Sequence, residues 1–156
     1  MIRIFSLSDL DQILQIEAQS FPKSPYDRTT FINLYHLYRE TFFVYVDTTR
    51  DEKIGTTRSR GGRILGYIVF SADGYIISIA VHPNHRRKGI GTELLKRPMR
   101  IPNVKKIWAE VRKTNQGAQA FYLREGFKIV GLIPDYYGNE DALTIRWTPS
   151  STVSEP

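Results

Sequence analysis

The chain reads as an α/β fold whose sheet is partly antiparallel. Three observations lead there. Short runs rich in β-branched and aromatic residues alternate with segments of helical spacing. Asp73-Gly74 between two such runs signals a hairpin, which makes part of the sheet antiparallel. The run Tyr75–Val81 passes through His82-Pro83-Asn84 into the loop His85–Thr92 and then Glu93-Leu94-Leu95, so a strand feeds a basic, glycine-bearing loop that opens a helix.

Taken in order, Ile2–Phe5 is a short strand. Ser8-Asp9, with Asp11 in the first turn, starts a helix whose apolar positions Leu10, Ile13, Leu14 and Ile16 recur at helical spacing. Phe21-Pro22-Lys23-Ser24-Pro25-Tyr26 is a loop, because two prolines break the helix. Asp27 or Thr29 caps a second helix that runs to about Tyr38. Phe42–Asp47 and Ile64–Ser71 are strands, separated by the charged segment Thr48–Gly62, which reads as a mobile hairpin loop. Pro98 should end the helix that follows the basic loop early, leaving Arg97–Asn103 as an irregular connection. Lys105–Arg112 is a strand and Asn115–Arg124 a helix closed by Gly126 as a left-handed cap. Phe127–Leu132 and Ala142–Trp147 are the last strands, joined through Pro134-Asp135-Tyr136-Tyr137-Gly138. Residues 1–148 form one domain on this reading, and 149–156 a disordered tail.

Composition narrows the classes. A chain of 156 residues is long enough for one domain with a real core, and 41% hydrophobic residues set it apart from disordered chains. The absence of cysteine excludes disulfides, thiolate metal sites and a cysteine nucleophile. His36, His82 and His85 show no metal-ligand spacing, so no metal is expected. No apolar stretch approaches the ~18 residues of a membrane span, and the N-terminus lacks the apolar region of a signal peptide. A cytoplasmic location is expected. The net charge of +6 is compatible with an anionic ligand, nucleic acid or a ribosome surface, and selects none of them.

The basic loop has a chemistry of its own. The first amides of a helix lack intrahelical acceptors and sit at the positive end of the helix dipole. Gly89 and Gly91 let a ligand approach the backbone, and Arg86, Arg87 and Lys88 add positive charge. A phosphate group suits such a place. The spacing matches neither GxGxxG nor GxxxxGK[ST], and a solvated basic turn is the plain alternative.

The order of motifs is more specific. Ile79-Ala80-Val81, then His82-Pro83, then Arg86-x-x-Gly89-x-Gly91, resembles the acetyl-CoA signature of the GCN5-related N-acetyltransferases (GNAT family). Trp108-Ala109-Glu110-Val111-Arg112-x-x-Asn115 and Ala120-Phe121-Tyr122-x-x-x-Gly126-Phe127 resemble the next two elements of that family. Asp135-Tyr136-Tyr137 with Glu140-Asp141-Ala142 is similar to the protein N-terminal acetyltransferases, among them the RimI-type ribosomal-protein alanine acetyltransferases and their archaeal relatives. The resemblance covers roughly Ile2 to Trp147.

That resemblance implies a GNAT fold, with a central mixed, largely antiparallel sheet, flanking helices and a splayed cleft for acetyl-CoA, and transfer of the acetyl group to an amine, above all a protein N-terminal α-amine. It implies that Ile79, Ala80 and Val81 bond the pantetheine arm through their backbone. Arg86, Arg87, Lys88, Gly89, Ile90, Gly91 and Thr92 hold the pyrophosphate, and Asn115 contacts the cofactor. Glu110 matches the general base and Tyr122 the acid that protonates the departing thiolate. Tyr75 is a third catalytic candidate, since some relatives carry a tyrosine there. Phe21, Pro22 and Tyr26, with Tyr136 and Tyr137, match the acceptor-binding loops. Each position also has a plainer reading: core strand for Ile79–Val81, an ion-paired glutamate at Glu110, a helix-face aromatic at Tyr122, surface turns for the two loops.

The chain departs from the family at Pro98 and Pro102, in the length of Thr48–Gly62, and at Arg86, where many members carry Gln. Two other functions are compatible with the sequence. Acetylation of a small-molecule amine shares the cofactor half, and a basic module binding RNA or the ribosome would use the Arg86–Lys88 and Thr48–Arg63 clusters.

Overall fold

A computed structural model describes residues 1–48 and 62–149. The charged loop expected over Thr48–Gly62 and the tail expected over 149–156 fall almost wholly outside the described residues. The strands are β1 (Ile2–Ile4), β2 (Phe42–Asp47), β3 (Arg63–Phe70), β4 (Ile76–Val81), β5 (Ile107–Arg112), β6 (Lys128–Ile133) and β7 (Ala142–Trp147). The α-helices are α1 (Leu10–Ser20), α2 (Arg28–Leu37), α3 (Ile90–Met99) and α4 (Gln116–Arg124). Short 3-10 turns at Leu7–Asp9 and Pro83–His85 were not anticipated by the sequence pattern.

The strands form two sheets, in the orders β1-β2-β3-β4 and β5-β7-β6. β1–β2, β2–β3, β5–β7 and β6–β7 are antiparallel, and one parallel bridge joins Tyr75 to Trp108. The mixed, largely antiparallel character therefore holds. The chain divides into two compact units, one of Met1–Ser71 with Ile77–Arg97, the other of Ala72–Ile76 with Pro98–Pro156.

In the first unit, alternation along β2 sends Phe42, Val44 and Val46 inward, while β3 is buried along nearly its whole length. These side chains meet Ile13 and Ile16 of α1 and Phe31 of α2 in one apolar cluster. Asp27 caps α2, its carboxylate accepting the Thr30 N–H at 2.8 Å. In the second unit, Ile107, Ala109 and Val111 of β5 are buried, as are Tyr122, Phe127, Ala142 and Ile145. Gly126 closes α4 at φ 91°, with the Phe127 N–H bonded to the Tyr122 carbonyl at 3.0 Å and its own N–H to the Leu123 carbonyl at 3.2 Å.

Pro98 does not end α3 where expected. The helix runs on to Met99, with Pro98 as its penultimate residue. A proline there removes one amide donor close to the helix end, where little of the ladder remains to be broken. A turn follows, the Ile101 N–H bonding the Pro98 carbonyl at 3.1 Å.

Candidate active site

The phosphate-binding candidates lie in the first unit. β4 is the edge strand of its sheet, and the His82 N–H bonds the Leu65 carbonyl at 2.7 Å. Strand alternation then turns the amides and carbonyls of Ile79 and Val81 away from β3. Those groups are what an extended ligand arm needs for backbone hydrogen bonds. The Arg86 guanidinium takes up part of this edge, donating to the Val81 carbonyl at 3.3 Å and reaching Ser20 Oγ at 3.4 Å. Arg86 thus ties the end of β4 to the end of α1.

Beyond it the backbone coils tightly. Arg87 has φ 63° and Gly89 φ 82°. A Cβ at Gly89 would meet nothing within 4 Å, so the space beside this amide is open. The i→i−4 ladder of α3 begins with the Glu93 N–H on the Gly89 carbonyl at 3.0 Å, so the amides of Ile90, Gly91 and Thr92 precede it. Slight burial and neighbouring cations hold the His82 and His85 pKa values below the usual histidine range. The positive charge of the loop therefore rests on Arg86, Arg87 and Lys88. Open space, helix-start amides and fixed cations fit a pyrophosphate.

Gly66 of β3 supports this region and was not singled out by the sequence pattern. A Cβ there would lie 2.9 Å from the Ala80 carbonyl oxygen, 3.2 Å from Leu94 Cδ1 and 3.3 Å from Ile90 Cγ2. The signal was a lone glycine in an otherwise continuous apolar strand. Gly66→Ala is expected to destabilise the protein by about 1–3 kcal/mol through overpacking. It should also weaken acetyl-CoA binding, because β4 and the start of α3 are what must move. Urea unfolding and titration calorimetry check both effects; an unchanged midpoint with unchanged affinity would contradict them.

The proton-handling candidates lie in the second unit. Glu110 projects from β5, half-buried. Among the described residues, its Oε2 is a buried atom with no hydrogen-bond partner. A buried carboxylate oxygen without a donor is uncommon and marks a place for a ligand or water. The Tyr75 hydroxyl lies within hydrogen-bonding reach of both Glu110 and Tyr136. Burial first, then the Glu110 charge and Tyr136, push the Tyr75 pKa well up, so the phenol keeps its proton. The Tyr75 ring also packs on Trp108, centroids 5.5 Å apart.

Tyr122 is 4% exposed, and its ring meets Phe127 at 5.0 Å. Burial, followed by neighbouring Tyr137, raises its pKa, so it too stays a neutral hydroxyl. Asn115 serves as the cap of α4, its Oδ1 accepting the Ala118 N–H at 3.0 Å.

The acceptor-loop candidates divide between the units. In the first, Phe21 and Tyr26 are partly buried against the core cluster, and Pro22 is exposed. In the second, the Tyr136 and Tyr137 rings meet edge to face at 4.9 Å. The Arg112 guanidinium lies 4.1 Å over the Tyr137 ring and bonds Glu140 Oε1 at 2.8 Å, while Thr114 Oγ1 bonds Glu140 Oε2 at 2.6 Å. Arg112 thus pairs with Glu140. That leaves Glu110 outside the ion pair which its sequence neighbourhood also allowed.

Comparison with known proteins shows the family. The acetyltransferase (GNAT) family profile matches residues 10–127. The chain is 36% identical to an uncharacterized N-acetyltransferase of Methanocaldococcus jannaschii, over 97% of this chain and 94% of that one. It is 33% identical to an N-alpha-acetyltransferase of Sulfolobus acidocaldarius, over 90% of this chain and 88% of that one. The crystal structure of Ard1 from Thermoplasma volcanium superposes with a TM-score of 0.73 at 27% identity, covering 95% of this chain and 96% of that one. A family profile across most of the described elements, and full-length relatives at this identity, show that the chain belongs to the GNAT family and is an N-acetyltransferase.

Proposed function

We propose that the protein moves the acetyl group of acetyl-CoA to the α-amine at a protein N-terminus, with Glu110 as the proton acceptor. The unpartnered, buried Oε2 of Glu110 beside the neutral Tyr75 carries this reading. An α-amine has a pKa near ~8, so one proton must leave it for attack at neutral pH. Tyr75 holds its own proton and accepts none. The carboxylate of Glu110 is the acceptor left in this cluster, directly or through a water. Tyr75 and Tyr136 then orient the carboxylate.

Bound acetyl-CoA supplies an activated acyl carbon and a thiolate leaving group. The nitrogen gives one proton to Glu110 before attack and forms the new C–N bond; as the C–S bond breaks, its second proton leaves by the same carboxylate, which passes both to solvent. Tyr122 acts on the sulfur side. Its raised pKa makes it a weaker acid than a thiol, so it stabilises the departing thiolate by donating a hydrogen bond, and the sulfur takes its proton finally from solvent. On the cofactor side, the outward-facing backbone of Ile79 and Val81 binds the extended arm, while the Ala80 backbone between them faces β3. The amides from Gly89 to Thr92, with Arg87 and Lys88, bind the pyrophosphate. Arg86 holds the end of β4 in place, and Asn115 fixes the start of α4.

Phe21, Pro22 and Tyr26 on one loop and Tyr136 and Tyr137 on another serve the peptide. The N-alpha-acetyltransferase name of the Sulfolobus relative supports a peptide acceptor over a small amine. A ribosomal protein is one class of acceptor consistent with the Tyr136-Tyr137 motif, and a cytoplasmic setting would suit it. Among the described residues no helix is long and apolar enough to cross a membrane.

The test combines binding and turnover. Acetyl-CoA at about 100 times its Kd should stabilise the fold by about 2.7 kcal/mol. Acetyl transfer should occur to peptides varied at their first two residues, and not to polyamines or aminoglycosides. Absence of a thermal shift at saturating acetyl-CoA, or transfer to the small amines alone, would overturn the proposal.

A further inference from the structure

Glu17 is a carboxylate in an apolar place. It lies on α1, is 2% exposed, and belongs to neither the cofactor elements nor the Glu110 cluster. Burial pushes its pKa up, and hydrogen bonds from Tyr67 and Tyr26 oppose that rise. An apolar side chain of similar size would fill the same space without the desolvation penalty. What the carboxylate does instead is visible in its bonds. Oε1 accepts the Tyr26 N–H at 3.1 Å, and Oε2 accepts the Tyr67 hydroxyl. The Tyr67 hydroxyl in turn bonds Ser78 Oγ at 2.8 Å, on β4 and directly before Ile79. The main-chain carbonyl of Glu17 accepts the Phe21 N–H at 2.8 Å.

One residue therefore grips both ends of the Phe21–Tyr26 loop, its main chain at Phe21 and its side chain at Tyr26. The same carboxylate is anchored through Tyr67 to the strand that carries the cofactor-binding backbone. Tyr67 is itself fixed, fully buried with its ring edge-on to Phe31 at 5.6 Å. We propose that Glu17 is a positioning residue for the peptide acceptor: it sets the conformation of the Phe21–Tyr26 loop from a buried, β4-anchored hydrogen-bond chain. The inference rests on the reading of that loop as part of the peptide site.

Chemistry supplies a discriminating pair of variants. Glu17→Gln keeps an acceptor for the Tyr26 N–H. Its amide N–H can donate to the Tyr67 oxygen, with Tyr67 then donating to Ser78, so the chain survives with its direction reversed. Glu17→Leu removes both bonds. In the full chain, Glu17→Leu is expected to raise the peptide KM roughly tenfold or more, since small misplacements of a positioning element carry effects of that order. The Kd for acetyl-CoA should stay within about twofold, and Glu17→Gln should keep the wild-type peptide KM and kcat. Hydrogen exchange at the Tyr26 amide should quicken in Glu17→Leu and not in Glu17→Gln.

A wild-type peptide KM in Glu17→Leu would overturn the inference. So would loss of kcat in Glu17→Gln, which would make Glu17 a proton carrier, or a parallel rise of peptide KM and acetyl-CoA Kd, which would make it a general support of the fold. Should Glu17→Leu fail to fold, Tyr67→Phe decides: a several-fold rise in peptide KM supports the inference and a wild-type value overturns it. If the wild-type protein acetylates no peptide α-amine, the functional reading fails by itself. The Tyr26 exchange rates then still show whether Glu17 holds the loop.

Discussion

Glu110→Gln is expected to lower kcat by about 10²–10⁴-fold, the usual range for loss of a positioned general base. The substitution keeps shape and removes the capacity to take a proton. Tyr75 and Tyr136 still have a polar partner in the glutamine amide, so the cluster should stay assembled. The proposed acetyl-CoA site, at the β4 edge and basic loop, does not include Glu110, so its Kd should be unchanged. The two readouts separate a proton acceptor from a scaffold residue: steady-state kinetics should fall while calorimetric binding persists. Activity equal to wild type across the pH range would remove Glu110 from this role.

The second large effect concerns stability. Gly74 sits at φ 108°, and a Cβ there would lie 2.2 Å from the Lys106 carbonyl oxygen. Both the backbone conformation and the contact with a main-chain atom exclude a side chain. Strain of this kind costs about 1–3 kcal/mol and overpacking about as much again, so Gly74→Ala should lose about 2–6 kcal/mol in urea unfolding. The close approach exists because the Gly74 carbonyl accepts the Trp108 N–H at 3.1 Å, where Tyr75 bridges to Trp108. The site is thus linked to the strain: the residue that must be glycine is the neighbour of the tyrosine beside Glu110. A change below about 0.5 kcal/mol would place Gly74 among ordinary surface positions.

Much of the fold was legible because its signals are local. β2 and β7 have the bounds that the alternation of Phe42–Asp47 and the run Ala142–Trp147 implied. Asp27 caps α2 and Gly126 closes α4 for reasons visible in the residue types alone. What escaped was set by tertiary contacts. Pro98 remains helical because it falls where few ladder bonds remain to be lost. Gly66 and Gly74 are required by neighbours distant in sequence, Ala80 and Lys106, which no periodicity reveals. Glu17 looked like one more helical position until Tyr26, Tyr67 and Ser78 closed around it.

The candidate site divides in the same way. The candidate phosphate loop is a continuous stretch, so its glycines and cations are visible together in the sequence. The proton-handling cluster assembles Tyr75, Glu110 and Tyr136 from three separate elements, and motif order hinted at the members without giving their contacts. Arg112 bonds Glu140 and lies over Tyr137, and among the described residues Glu110 Oε2 has no hydrogen-bond partner. That partition leaves a carboxylate oxygen available for an amine proton.

The most direct test of the central claim is mass spectrometry of a single peptide that carries both a free N-terminal α-amine and an internal lysine, incubated with the protein and acetyl-CoA. The account predicts one acetyl group, on the α-amine, appearing with wild type and suppressed in Glu110→Gln. Acetylation of the lysine alone, or equal labelling by wild type and Glu110→Gln, would contradict it.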